Sequence, residues 1–227
     1  VKPIPVVLLA AILFALCGFG GPLRAASLRF LPMSEELAGR ELGVRDAKGL
    51  TKLRNLNAQK RSDAYPCATG KQPVVLVAMD RESADGKPAT VEIALPDGVK
   101  SPLVLILPDA VDPSGLRVLV VEDSAAGFPW GSLRFVNTTD FALSIRYEKE
   151  SKPLAAAPAF ADIVLGGEAR NMGVQLSKEE DPEAVLYSAV WEFDPNVRKL
   201  ILIVAGNDPA VAAVELKILP DSRPAKD

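Results

Sequence analysis

From Gln72 onward the chain is written in short runs of alternating or β-branched apolar residues, each ended by a cluster of Gly, Pro, Asn, Asp or Ser. This rhythm constrains the fold more than any other feature. A strand points successive side chains to opposite faces, whereas a helix needs a 3.6-residue period that no long segment here supplies. Glycine and proline mark the boundaries because one supplies positive φ and the other cannot extend a ladder.

The strand-like runs are "PVVLVAMD" (73–80), "TVEIALP" (90–96), "LVLILP" (103–108) and "LRVLVVED" (116–123). They continue with "DIVLGG" (162–167), "ARNMGVQLS" (169–177) and "VLYSAVWEF" (185–193). "RKLILIVAG" and "VAAVELKIL" follow, joined through Asn207-Asp208-Pro209 as a closing hairpin. "LVLILP" is apolar on both faces, as expected of a central strand covered from both sides. "GSLRFVNTTDFALSIRYE" (131–148) reads as a hairpin turning at Asn137-Thr138-Thr139-Asp140, one face inward and the other in solvent. Ahead of these, "SLRFLPM" (27–33) is a first strand with Leu28 and Phe30 on one face. Residues 34–62 hold one helical turn at most, because Gly39 and Gly43 interrupt it, and are expected to wrap the domain as an irregular segment. The prediction is an all-β fold, an antiparallel Ig-like β-sandwich of about 8–10 strands with little helix. The two halves share a strand–turn–strand texture without an exact internal repeat.

Lys2, the apolar run Val6–Phe19 and the small residues up to Ala25 have the layout of a secretory signal. The run is short of the roughly 20 residues that cross a bilayer as a helix. The division expected is therefore a signal peptide at 1–25, a strand and wrapping segment at 26–66, a sandwich core at 67–220 and a polar tail at 221–227. Membrane association is expected only through the first segment, if it is uncleaved or lipidated at Cys17; Leu16 stands where lipidation favours a small residue. The formal charge of −3 and the absence of basic runs argue against nucleic acid.

The chain has no histidine. That removes Ser-His-Asp and Cys-His catalysis and the commonest transition-metal ligand sets. Without the signal, Cys67 is the one remaining thiol, so it is read as a semi-buried small residue and no intramolecular disulfide is possible. Carboxylate pairs suited to glycoside hydrolysis occur at Glu122-Asp123, Glu179-Glu180-Asp181 and Glu192-Asp194, all at strand ends or in loops where solvated charge is ordinary. Asp109 and Asp112 in "DAVDPSG", and Asn207 with Asp208, are partial oxygen-ligand sets without EF-hand spacing, so no metal or cofactor is expected. Trp130, between Pro129 and Gly131, is the candidate sugar-stacking aromatic, whereas Trp191 in a strand-like run is read as core. Asn137-Thr138-Thr139 matches a glycosylation sequon by pattern.

"VLVVEDSAAGFPWGSLRFVNTT" and "VLYSAVWEFDPNVRKLILIV" together resemble a recurring group of exported bacterial β-rich proteins. The shared pattern is an EDS…FPWG-strand-N-x-T segment followed by a W…R-strand segment, spanning about Gln72 to Ile218. The resemblance implies a secreted β-rich domain and transfers no catalytic or binding residue. The expected function is a non-enzymatic structural or protein-interaction role in the periplasm or at the cell surface. Carbohydrate binding through exposed aromatics and carboxylate-based hydrolysis are the alternatives. A protein or glycan partner is expected.

Overall fold

The computed structural model describes residues 24–69, 72–206, 208 and 212–225. Most of the signal-like segment, residues 1–23 with Cys17, lies outside them, as do Asn207 and Pro209. No helix among the described residues is long and apolar enough to cross a membrane.

The first half of the chain supplies β1 (Arg24–Pro32), the single-turn helix α1 (Glu35–Ala38), β2 (Leu42–Asp46), β3 (Gly49–Lys52), β4 (Tyr65–Thr69), β5 (Val75–Glu82), β6 (Pro88–Glu92), β7 (Pro102–Pro108) and β8 (Leu116–Glu122). The second half supplies β9 (Ser132–Asn137), β10 (Leu143–Tyr147), β11 (Glu150–Leu154) and β12 (Ala159–Val164). It continues with β13 (Arg170–Lys178), β14 (Asp181–Phe193), β15 (Val197–Ala205) and β16 (Val214–Ser222). The fold is all-β.

Four sheets form, with strand orders β4-β1-β7-β8, β3-β2-β5-β6, β12-β9-β15-β16 and β11-β10-β13-β14. Adding eight to each strand number of the first two sheets gives the last two. The chain is therefore two β-sandwiches of identical topology, a repeat carried by connectivity and apolar pattern, with residue identity confined to short runs such as SLRF at 27–30 and 132–135. The exceptions to antiparallel pairing match too: β1 runs parallel to β7 and β9 parallel to β15. The first strand expected at 27–33 is β1, whereas residues 34–62, expected to wrap the domain as an irregular segment, contribute β2 and β3 as integral strands of the first sandwich.

Each sandwich encloses its own core. Leu28, Phe30, Leu76, Val104 and Ile106 meet in the first; Leu133, Phe135, Ile145, Val174, Ile201 and Ile203 meet in the second. A third apolar layer joins them. Leu103, Leu105 and Leu107 on the outer face of β7 pack with Leu31, Val121, Phe128, Val136, Leu200, Leu202 and Leu219. Strand β7 is apolar on both faces because it separates two cores, and β15 does the same in the second sandwich. Because each half presents the same face to the other, the contact has the character of a two-fold interface within one chain.

The stretch 131–148 is not a hairpin. Strand β9 pairs with β12 and β15, whereas β10 pairs with β11 and β13, so Asn137–Asp140 crosses from one sheet of the sandwich to the other. The Asn137 carboxamide holds this corner, donating to the carbonyls of Phe141 and Ala155 and accepting from the Thr139 amide and hydroxyl. With its polar atoms so engaged and no exposed surface, Asn137 is a corner residue and not a glycan acceptor. Nor does β9 show solvent one face. All six of its residues are buried, because the inter-sandwich layer covers the face opposite the core.

Candidate functional site

Charged side chains converge at one end of the inter-sandwich layer, around the connection 123–131 between the two halves. Ser124 begins this connection with a tight turn, its carbonyl accepting from the Gly127 and Phe128 amides. Phe128 then drops into the apolar layer, 1% exposed. Gly131, at φ +74°, turns the chain into β9 where a Cβ would stand 3.2 Å from Pro195.

Two arginines from the second sandwich grip the connection. Arg134 of β9, buried at 2% exposure, forks onto Asp162 of β12 with Nε–Oδ1 and Nη2–Oδ2 distances of 2.6 Å each. Its remaining donors reach the carbonyls of Glu122 and, at 2.9 Å, Gly127. Arg198 of β15 donates to Asp221 at 2.7 and 3.0 Å and, through Nη1, to the carbonyls of Asp123 and Phe128 at 2.9 Å each. The Phe128 ring is flanked by both guanidiniums, 4.6 Å from Arg134 and 5.1 Å from Arg198. From the first sandwich, Arg61 forks onto Asp123 at 2.7 and 2.9 Å. Three arginines and three aspartates thus balance in charge, and carbonyls take up the spare donors, as buried ions require. At the opposite rim Lys217 of β16 donates to the Pro32 and Met33 carbonyls across the layer. Burial there holds its pKa below the ordinary lysine range, against the pull of Glu35.

Trp130, the candidate stacking aromatic, is half-buried. The Arg198 guanidinium lies 4.6 Å from its ring centroid, so the ring takes part in the clasp. Asp109 accepts from the Val111 and Asp112 amides, which together hold its pKa below the ordinary range. Asp112 accepts from the Ser114 amide and hydroxyl. Both carboxylates fold the β7–β8 loop, and no group of three or more His, Cys, Asp or Glu among the described residues is arranged to hold a metal ion.

In each carboxylate set at least one member is engaged locally in the same way. Burial works to raise the Glu122 pKa, but the amides of Lys100, Ser124 and Ser101 outweigh it and the net shift is downward. Asp181 accepts from the Ala184 amide and Asp194 from the Asn196 amide. Cys67 is buried, and desolvation, reinforced by the charge of Asp46, pushes its thiol up to about 11, the reverse of an activated nucleophile. Trp191 is core, stacked on Phe135 with centroids 5.9 Å apart and donating Nε1–H to the Tyr187 hydroxyl.

Pattern reading misses Arg61, Arg134 and Arg198. The signal for Arg134 and Arg198 is present: each lies in a mostly apolar strand, where a buried charge needs partners.

No family model matches the chain, and no curated protein does. Among solved structures it is similar to one of Extended-Synaptotagmin 2 that comprises the SMP domain and two C2 domains, with 10% identity and a TM-score of 0.22. That match covers 81% of this chain and 50% of the other, so the chain spans half the length of that structure.

Proposed function

We propose that this is an exported, non-enzymatic protein with a structural or protein-interaction role in the periplasm or at the cell surface. The observation that carries this reading is how its buried charges are used. Arg134 and Arg198, each paired with an aspartate of its own sandwich, spend their remaining donors on carbonyls of 122–128, and Arg61 holds Asp123 there, so the buried charges tie the two halves together rather than facing a cleft where a substrate sits. Two joined sandwiches make a stiff body with several open sheet edges, and such edges accept a partner's extended strand. Edge strand β12 is the suited one: Phe160 is 50% exposed and Val164 is 68% exposed on the same face. The partner this fits is a protein segment in extended conformation with alternate apolar side chains. The signal-like opening supports export, and the absence of histidine supports a non-catalytic role. Against the glycan alternative stands the Arg198 guanidinium over the Trp130 ring.

The test is cell fractionation combined with site-specific photo-crosslinking from position 160, with position 111 of the exposed β7–β8 loop as control. The reading expects an exported chain shortened near Ala25 and a discrete protein adduct from 160 but not from 111. Cytosolic retention of the unprocessed chain, or turnover of glycosides or esters by the purified protein, would overturn it.

A further inference from the structure

The eight-strand offset identifies counterpart residues in the two halves. The Met33 amide bonds the Ile106 carbonyl and the Thr138 amide bonds the Ile203 carbonyl, which fixes the alignment. Arg117 stands opposite Leu107 in the first half, and Glu215 stands opposite Val204 in the second, so Arg117 and Glu215 are counterparts. Both line one cleft of about 480 Å³ between the sandwiches, at the end of β8 away from the arginine clasp. Apart from Ser34, the rest of its wall is paired likewise: Met33 with Thr138, Leu107 with Val204, Pro108 with Ala205. The two halves have diverged here to opposite charges, giving one cleft a cationic and an anionic wall over an apolar floor.

Arg117 Nε is buried and meets no acceptor in the structure, a costly state for a charged donor. The cleft hydroxyls are committed elsewhere: Ser34 accepts from the Leu37 amide, and Thr138 donates to the Ile203 carbonyl. An apolar cleft at a junction of two sandwiches with a few convergent polar groups is the usual form of a small-molecule site. We infer that it binds a small zwitterion on an aliphatic body, the chemistry of a free α-amino acid. The carboxylate meets Arg117, the ammonium faces Glu215, and the aliphatic part lies against Met33, Leu107 and Val204. A polyanion such as phosphate is disfavoured, because Glu215 shares the cleft and Asp109 lies near enough to feel the Arg117 charge.

Zwitterion binding is independent of the partner role proposed above and is tested separately, by NMR titration of the full chain. The probes are L-leucine, 4-methylpentanoate, which lacks the ammonium, and 3-methylbutylamine, which lacks the carboxylate. Leucine is expected to shift the Leu107, Thr138 and Val204 amides saturably, with each one-charge analogue weaker by about tenfold. Arg117→Gln and Glu215→Gln are each expected to weaken leucine by a similar factor while keeping native spectra. No leucine-dependent shift at those amides overturns the inference, as does 4-methylpentanoate binding as tightly as leucine. Should a variant fail to fold, the three-probe comparison on the unaltered protein decides alone.

Discussion

The Arg198 guanidinium lies over the Trp130 ring at 4.6 Å while donating to Asp221 at 2.7 Å, so one side chain of β15 holds both the inter-sandwich connection and strand β16. Removing it leaves the carbonyls of Asp123 and Phe128 and the Asp221 carboxylate without their donor. Arg198→Ala is expected to cost about 3 kcal/mol, as for a broken buried pair. Denaturation followed by a probe in each sandwich should then resolve two transitions where the native chain shows one. Arg198→Lys keeps the charge but not the fork and should recover only part of the loss.

Leu105 sits in the layer between the sandwiches with no exposed surface. Leu105→Ala is expected to lower stability by about 2–5 kcal/mol, the usual cost of a core cavity. The companion Ile203→Val change inside the second core should cost about 1 kcal/mol. Urea titration of both variants checks the contrast.

Gly131 adopts φ +74°, and a Cβ there would press on the Pro195 backbone. Gly131→Ala is expected to destabilise by about 1–2 kcal/mol from the left-handed conformation alone, and more if Pro195 cannot yield. Thermal unfolding measures it.

Cys67 gives a pH signature. The folded thiol stays protonated to about 11 whereas its ordinary value is 9.0, so the folded state holds the extra proton between them. The stabilisation from this group is complete below pH 9 and is lost as the pH rises through the folded value, about 3 kcal/mol in all. Lys199 and Lys217, whose pKa values burial lowers, act with the opposite sign and gain stability as pH rises toward the ordinary lysine value. Comparing the chain with Cys67→Ala from about pH 8 to 11 therefore isolates the thiol: only the cysteine form carries this falling component.

Asp109→Ala removes the acceptor of two loop amides and is expected to cost about 1 kcal/mol. Because the carboxylate serves its own loop, that loss should be equal in calcium and in chelator. A calcium-dependent difference in melting temperature would assign Asp109 a metal instead.

The strands with strong period-two pattern are legible from residues alone. The double-sided apolarity of Leu103–Leu107 marks a strand between two layers, and the pairing of β15 with β16 is legible in the same way. The short strands β3 and β11 are not, because "GLTK" and "ESKPL" carry almost no apolar residues and owe their pairing to neighbours. The corner at Asn137 looks like a turn because Asn, Thr and Asp favour both a hairpin and a crossing between sheets; only the partner strands separate the two. The repeat is hard to see because identity is confined to short runs, SLRF at 27–30 and 132–135 and the leucines of β7 and β15, while other counterparts differ, as with Arg117 and Glu215 at the cleft. The clasp is half-visible: "EDS…FPWG" and the later "W…R" stand out as a pair, and the folded chain brings Trp130 and Arg198 of those segments into contact.

The matched leucine faces of β7 and β15 carry one further implication. Neither half can be cut free and remain itself, since each sibling leaves the other an uncovered greasy wall where Leu103, Leu105, Leu200 and Leu202 now lie hidden. The smallest indivisible unit of this molecule is the couple, and an excised half should cling to its own kind in solution.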